Sequence, residues 1–375
     1  MNKRTVQTRL VTLQDVAREA GVSKVTAARV LGSYGTASPG AKEKVLAAAR
    51  ALGYRPNELA RSMTTGRSRT IGVIVGDIEN PYFGRAVRGI SEVATAAGFD
   101  VILANSGEDV GKEQAAVRVL LGKRVDGLIV TPASMSETQH LESVQSSGRP
   151  LVLLDRAVPG LKVDSVVTDD RAAAKAATQT LIDAGHRRIA YITATNSDNP
   201  IYRGPHQISL TTVMDRIEGF LAAASEAGIE TPEQYIRLAA TRLGSSGKII
   251  ADLLSLPHRP TAILASDNVV GLEVFKAIRA LGMSIPNDLS LIAFHDADWT
   301  SVTTPPITVI SQPVYNLGIE SAQILIKRIN GATEPPMRLA LATTLIERQS
   351  VGIPPASAGK AKKAKPRRAA KEIAG

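Results

Sequence analysis

Cysteine is absent from this 375-residue chain, and no apolar run approaches the length of a membrane span. Without cysteine, disulfides, thiolate chemistry and Cys-ligated zinc are excluded. A membrane span needs roughly 18 apolar residues in succession, and no apolar signal region follows the polar N-terminus. These absences predict a soluble, cytoplasmic protein with no membrane partner.

The signatures of common enzymes are also missing. Residues 244–249 lack the earlier glycine and the hydroxyl residue of a phosphate-binding loop. The stretch from Gly72 to Gly84 does not spell the dinucleotide fingerprint, no HExxH occurs, and the five histidines lack metal-ligand spacing. We therefore expect no catalytic residue, no metal and no cofactor, although an enzyme on the same body stays an alternative.

The positive charge of the chain is concentrated at its two ends. The net charge is +10, of which residues 1–69 contribute +9 and residues 352–375 contribute +6, so the body between them is acidic. A basic head on an acidic body is typical of a separate nucleic-acid-binding module. The length predicts two or three domains.

Residues 12–31 follow the pattern of two short helices joined by a tight turn. Thr12 and Asp15 form an N-terminal capping pattern, Gly21 can end the first helix, and Ser23 is a good cap for the second. In a helix-turn-helix the second helix enters the major groove of DNA. The alternative is an ordinary helical hairpin with a solvated basic face.

Two further elements follow this pair. Ser38 and Pro39 are typical of the start of a third helix, which ends at Gly53. Residues 57–65 can form a helix that is too short to be stable alone. This segment is either a flexible linker or a hinge that folds on DNA, with Met63 as an apolar wedge in the minor groove.

From Thr70 onward, short apolar runs alternate with helical stretches. The first run, residues 71–75, suits a strand buried on both faces. Alternating strands and helices predict parallel sheets wrapped by helices. Because the pattern repeats in the second half of the body, we expect two α/β lobes with a cleft beyond the carboxyl ends of their strands.

These segments resemble the lactose-repressor (LacI/GalR) family. The matching phrases are TLQDVAREAGVSKVTAARVL, VLAAARALGYRPN and ELARSMTTGRS. The resemblance implies a periplasmic-binding-protein-like two-lobed core, with residues near 314–341 returning to the first lobe. The expected domains are a helix-turn-helix DNA-binding domain (1–56), a hinge helix and linker (57–69), a two-lobed effector-binding and dimerisation domain (70–353) and a basic disordered tail (354–375).

The resemblance implies a sequence-specific transcriptional regulator and favours a repressor. A homodimer would read a pseudo-palindromic double-stranded operator, and a sugar or sugar derivative bound between the lobes would control operator affinity. The alternative is a sugar-binding or transport component without a role in gene regulation. The expected DNA contacts are Thr12, Ser23, Lys24, Val25, Thr26, Arg29, Asn57, Ala60 and Met63.

Strand ends in the body supply candidate effector ligands. Carboxylates and guanidinium groups make strong hydrogen bonds to hydroxyls, and aromatic rings supply apolar area. Each candidate also has a structural interpretation, such as lobe core for Tyr82 and Phe83 or a helix cap for Asp155 and Asp169. The positions that the resemblance implies are Asp77, Asn80, Tyr82, Phe83, Asp155, Arg156, Thr212, Arg216, Ser266, Asp267, His295, Asp296 and Trp299.

Three features depart from the family pattern. Ser266 stands where the family has Asn, and His295 stands where the family usually has an effector-binding Asp. Either Asp296 takes over, or His295 binds an acidic effector more strongly as the pH falls, and Trp299 can stack on a ring. The stretch from Thr193 to Thr212 is a longer loop than usual, either a flap over the cleft or a solvated decoration.

Met63→Gly distinguishes the hinge from the linker. If two paired hinge helices insert Met63 into the minor groove, the variant loses DNA bending and much of its operator affinity, while the free protein keeps its effector affinity. A gel-shift bending assay measures both DNA properties. Wild-type affinity together with a wild-type bend would leave residues 57–65 as a passive tether.

Overall fold

A computed structural model describes residues 11–32, 35–54, 66–195, 199–238 and 245–355. The predicted hinge contacts Asn57, Ala60 and Met63 lie outside these residues, as does the basic tail after residue 355. Within the described ranges, no helix is long and apolar enough to cross a membrane.

The headpiece consists of α1 (Leu13–Glu19), α2 (Lys24–Leu31) and α3 (Pro39–Ala51). The predicted capping pattern is present, because the Thr12 amide donates to the Asp15 carboxylate at 3.0 Å and the Asp15 amide donates to Thr12 Oγ1 at 3.3 Å. Ser23 caps α2 with a 3.1 Å bond from the Thr26 amide. Small apolar residues from all three helices pack together, so the predicted helix-turn-helix is confirmed.

The body has two α/β lobes, and the chain passes from the first to the second after residue 168. The first lobe contains β1 (Thr70–Val75), α4 (Pro81–Ala96), β2 (Asp100–Asn105), α5 (Val110–Gly122), β3 (Gly127–Val130), α6 (Gln139–Ser146), β4 (Leu151–Asp155) and β5 (Asp164–Thr168). The second lobe contains α7 (Asp170–Asp183), β6 (Ile189–Ile192), α8 (Thr211–Glu226), β7 (Ile236–Arg237), α9 (Ser245–Leu254), β8 (Ala262–Ala265), α10 (Asn268–Ala280), β9 (Ser290–Phe294), α11 (Asp298–Val302) and β10 (Thr308–Ser311).

The chain then crosses between the lobes twice more. Helix α12 (Val314–Ile329) and strand β11 (Arg338–Leu341) belong to the first lobe, and β12 (Thr344–Ile346) belongs to the second. The sheet orders are β11-β5-β4-β3-β1-β2 and β12-β10-β9-β8-β6-β7. All pairings are parallel except that of β12 with β10. The expected return of residues near 314–341 to the first lobe is confirmed.

Asp169 connects the first and the third of the three segments that cross between the lobes. Its Oδ1 accepts a 2.9 Å hydrogen bond from the Thr343 amide, and its own amide donates to the Leu341 carbonyl at 3.3 Å. Its side chain makes no capping bond to α7, so the helix-cap interpretation is wrong for this residue. The lobes are therefore joined at a narrow bundle of crossing segments.

Described residues of the loop between β6 and α8 anchor it to both lobes. Tyr202 and Ile208 are buried in the core of the second lobe, and Ile201 makes a bridge to Arg237 of β7. The loop also reaches the first lobe, because the Met135 amide donates to the Ser209 carbonyl at 2.8 Å. Of the two interpretations, the structure favours a segment that faces the cleft.

Gly318→Ala tests the close contact between α12 and α4. A Cβ at Gly318 would lie 2.0 Å from the Ala86 carbonyl oxygen, which is a backbone atom and cannot move cheaply. Overpacking of this kind costs about 1–3 kcal/mol or more, so the thermal midpoint of unfolding should fall. Gly84→Ala on α4 meets no atom within 4 Å and should be neutral or stabilising. Equal midpoints for the two variants would contradict this packing.

Candidate functional sites: a basic helix and an interlobe cavity

Helix α2 presents its N-terminal residues to solvent. Lys24 and Arg29 are exposed, and 59% of Val25 is accessible. Ser23 and Thr26 share a 2.9 Å bond between their hydroxyls at the start of the helix, and Thr12 is exposed at the start of α1. The start of α2 thus carries Lys24 and small polar groups, and its last turn carries Arg29; accessible basic and polar side chains of this kind suit major-groove reading.

A cavity of about 180 Å³ lies between the lobes at the carboxyl ends of their strands. Strand ends and helix N-termini from both lobes converge there, as expected for an open α/β sheet. Eleven of the thirteen residues expected at an effector site line it. They are Asp77, Asn80, Tyr82, Phe83, Asp155, Arg156, Thr212, Arg216, Ser266, Asp267 and His295.

Asp296 and Trp299 do not line the cavity, and the expectation that Asp296 replaces the family's Asp is wrong in this structure. Asp296 Oδ1 accepts from Arg348 Nη2 at 2.6 Å and from the Thr300 hydroxyl. The Trp299 ring packs 5.9 Å from Phe275 in the apolar core of the second lobe. His295 adopts a left-handed backbone with φ 71°, and the chain beyond it turns away from the cleft.

Nine lining residues were not predicted. They are Glu108, Thr193, Ala194, Thr195, Leu210, Val213, Asn268, Val269 and Gln312. Most of them follow a strand or open a helix, so the rule that ligands bind beyond the carboxyl ends of strands applies to them as well. Glu108 is harder to find, because it lies in a loop three residues beyond β2 with φ 59°.

Arg156 is held by Glu108 within the cavity wall. Its Nη1 and Nη2 donate to the two carboxylate oxygens at 2.5 and 2.8 Å, and Nη1 also donates to the Pro132 carbonyl at 2.9 Å. The arrangement needs glycine at position 76, since a Cβ there would lie 2.1 Å from Glu108 Oε1. The nearby carboxylates of Glu108 and Asp155 keep the pKa of Arg156 high despite burial.

Arg216 forms the second buried ion pair. Its Nε donates to Asp170 Oδ1 at 2.7 Å and its Nη1 to the Ser266 carbonyl at 2.6 Å. The guanidinium carbon lies 4.3 Å from the centre of the Phe294 ring. Burial raises the pKa of Asp170 to about 6, although Arg216 opposes the shift. Asp170 was not among the predicted residues.

Tyr82 connects the two lobes inside the cavity. Its hydroxyl donates to Asp155 Oδ1 at 2.5 Å, and its ring meets the His295 ring edge-on at 5.5 Å. Tyr82 and Phe83 also belong to the first lobe's core, so the core and cavity interpretations both hold for them.

His295 is neutral near pH 7. Burial and the charge of Arg85 lower the pKa of its imidazole to about 4. The empty cavity therefore presents no cationic His295 at neutral pH. Stronger binding of an acidic effector as the pH falls stays a prediction.

Three buried polar atoms of the cavity residues lack hydrogen-bond partners. These are Arg156 Nε, which lies 3.5 Å from Asp155 Oδ2, Asn268 Oδ1 and His295 Nδ1. An unsatisfied buried polar atom costs about 1–3 kcal/mol, so such atoms mark positions where a ligand has bonds to gain. The Asn268 oxygen is an acceptor without a donor.

Comparisons with known proteins agree with this architecture. Residues 68–349 match the family described as periplasmic binding proteins and sugar binding domain of the LacI family, and residues 12–57 match the bacterial regulatory proteins of the lacI family. The chain belongs to the LacI family. It is a DNA-binding transcriptional regulator with a helix-turn-helix headpiece and a sugar-binding-type core.

The chain aligns with two named relatives over nearly their whole length. Catabolite control protein A of Priestia megaterium is 33% identical, with 86% of this chain and 94% of the relative covered. The ribose operon repressor of Escherichia coli K12 is 31% identical, with 91% and 100% covered.

Solved structures extend the comparison. The transcriptional regulator CelR–cellobiose complex aligns with a TM-score of 0.66 at 28% identity, covering 91% of this chain and 99% of that one. The lac repressor dimer bound to operator and the anti-inducer ONPF aligns with a TM-score of 0.75 at 24% identity, covering 92% and 100%, and shares the fold.

Arg29→Ala tests which residue of α2 reads bases. A basic side chain here can donate to guanine O6 and N7, so the variant should lose on the order of 1–3 kcal/mol and relax preference at one operator position. Replacing exposed Lys42 or Lys44 on α3 should weaken binding to all DNA about equally. Selection of binding sites from a random library measures both effects. Unchanged base preferences in Arg29→Ala would reduce Arg29 to a phosphate contact.

Proposed function

We propose that the cavity binds a neutral, polyhydroxylated effector of monosaccharide size, which controls how tightly two paired headpieces hold operator DNA. The size of the effector follows from the cavity, whose roughly 180 Å³ is smaller than the about 300–1,000 Å³ of pockets for drug-sized ligands. The polarity follows from the lining, in which carboxylates, amides and hydroxyls outnumber apolar groups. The single observation that carries the proposal is Asn268 Oδ1, a buried acceptor without a donor.

Interlobe hydrogen bonds suggest how the effector acts. The Ala157 amide donates to Thr211 Oγ1 at 3.2 Å, and that hydroxyl donates back to the Ala157 carbonyl at 3.0 Å. Together with the bond between Met135 and Ser209, these contacts close the lobes over the cavity. A ligand that binds one lobe arrangement better shifts the population of closed molecules. The hinge at residues 57–65 would transmit the shift to DNA as an order–disorder change.

We propose a homodimer, because two headpieces related by a two-fold axis read a pseudo-palindromic operator. The named relatives are repressors and control proteins, which favours repression. The residues proposed to touch DNA are Thr12, Ser23, Lys24, Val25, Thr26 and Arg29 of the headpiece, together with Asn57, Ala60 and Met63. A transport component without DNA binding would not need the helix-turn-helix. The named relatives are regulators, so catalysis is not proposed.

Asn268→Ala tests the effector site. The wild-type Asn268 oxygen has no protein partner, so the change should spare the fold while removing one ligand bond worth about 0.5–1.5 kcal/mol. The effector concentration for half-maximal response should rise on the order of two- to tenfold. Genomic fragments selected by the protein provide the operator, and fluorescence anisotropy with a panel of sugars provides the response.

Asn287→Ala is the matched control, because Asn287 is exposed elsewhere in the second lobe. It should respond as the wild type does. An Asn268→Ala protein that responds at wild-type effector concentrations would remove this cavity from the mechanism.

A further inference from the structure

Both guanidinium groups that reach the cavity are already neutralised by protein carboxylates. Glu108 accepts hydrogen bonds from both Nη1 and Nη2 of Arg156, and Asp170 accepts one from Nε of Arg216. Asp170 does not line the cavity but lies behind Arg216, with 2% of its side chain exposed. A ligand therefore meets ion pairs rather than free cations.

The hydrogen-bond geometry of Arg216 also limits what it can bind. A carboxylate grips arginine best through two parallel N–H donors. The side-on pair of donors consists of Nε–H and one Nη–H of the guanidinium. In Arg216 the Nε–H already donates to Asp170, and one Nη1–H already donates to the Ser266 carbonyl. The remaining donors can each serve a hydroxyl oxygen, whereas the side-on carboxylate geometry is occupied.

The remaining charge in the lining is negative. Asp77, Asp155 and Asp267 add three carboxylates to the two neutralised pairs, and His295 supplies no cation at neutral pH because burial lowers its pKa to about 4. Like charges in a partly dehydrated cleft repel strongly. A hydroxyl suits this surface, since it accepts from a guanidinium and donates to a carboxylate at the same time.

We propose that Asp170 is a specificity-determining residue, which makes the cavity accept neutral polyhydroxylated ligands and reject their carboxylate counterparts by neutralising Arg216. The proposal rests on the proposed function. Asp170 acts through Arg216 and is a positioning residue, since it has no direct access to the ligand.

The first experiment compares matched sugars by calorimetry. The probes are aldoses with their acids, namely glucose with glucuronate, galactose with galacturonate and ribose with ribonate. For any pair in which the wild type binds a member, we expect the neutral sugar to bind at least about tenfold more tightly. Asp170→Asn keeps the shape and removes the charge, so the preference should move toward the acid on the order of tenfold.

Asp215→Asn is the matched control for this comparison. Asp215 adjoins Arg216 in sequence but faces Arg338 at 3.5 Å, away from the cavity. It loses the same charge, so it should keep the wild-type preference. A folded Asp170→Asn with the wild-type preference, or a wild type that prefers the acid, would overturn the proposal.

A second experiment does not depend on a sugar, so its outcome separates this proposal from the proposed function. The probe is formate, and the readout is the 15N resonance of Arg216 Nε. In the wild type at pH 8 the resonance should not respond to formate, whereas in Asp170→Asn it should shift in a saturable way. If Arg216 behaves in this way but the protein binds no sugar, the effector assignment is refuted and the role of Asp170 stands. If Arg216 does not respond to formate in Asp170→Asn, the role of Asp170 is refuted.

The wild type provides the same test without a substitution, in case Asp170→Asn does not fold. Groups facing Asp170 are Arg216 from α8, Asp155 from β4, Tyr191 from β6 and Tyr82 from α4. Burial raises the Asp170 pKa to about 6 against the opposing effect of Arg216. Lowering the pH from 8 to 5 should therefore make Arg216 responsive to formate, and no change between these pH values would contradict the proposal.

Discussion

Two buried guanidinium groups impose the main constraint on the cleft, because an unpaired ion in a protein interior is prohibitively costly. Arg156 and Arg216 enter from opposite lobes, and each meets a carboxylate of its own lobe. The requirement extends to the backbone. Gly76 must lack a side chain so that Glu108 can reach Arg156, and the Ser266 carbonyl must point at Arg216. Removing one member of such a pair typically costs about 3–5 kcal/mol.

The same constraint links the cavity to the movement of the lobes. Asp170 opens α7 directly after the first crossing between the lobes, next to Asp169, which ties that crossing to the third. Gln312, on the second crossing, lines the cavity and reaches Thr168 at 3.5 Å. The residues that set the charge of the cavity thus adjoin the segments about which the lobes would turn. Small changes at such a junction can be amplified into a rigid-body rearrangement.

Local patterns were sufficient to predict most of the fold, because buried strands such as residues 127–130 are continuous apolar runs. The cavity residues, Asp77 and Asp155 among them, came from the family resemblance, which places them at the ends of strands. The sequence did not reveal which residues that are distant along the chain form ion pairs. Asp170 lies 46 positions from Arg216, and Asp296 pairs with Arg348, which is 52 positions away.

Backbone conformation explains the other difference from prediction. His295 directly follows β9 and has a left-handed conformation, as does Asp155 at the end of β4. This geometry is uncommon outside glycine but is enriched for Asp, Asn and His. It turns the residues after His295 away from the cavity, so Asp296 and Trp299 serve the second lobe instead of the ligand. Sequence spacing alone does not reveal such a turn.

We expect both ion pairs to persist when the effector binds, and a crystal structure of the protein with its effector bound would show this. Arg216 should still pair with Asp170 and Arg156 with Glu108, and ligand hydroxyls should bind Asn268 Oδ1 and His295 Nδ1. A ligand carboxylate that displaces Asp170 from Arg216 would contradict this expectation.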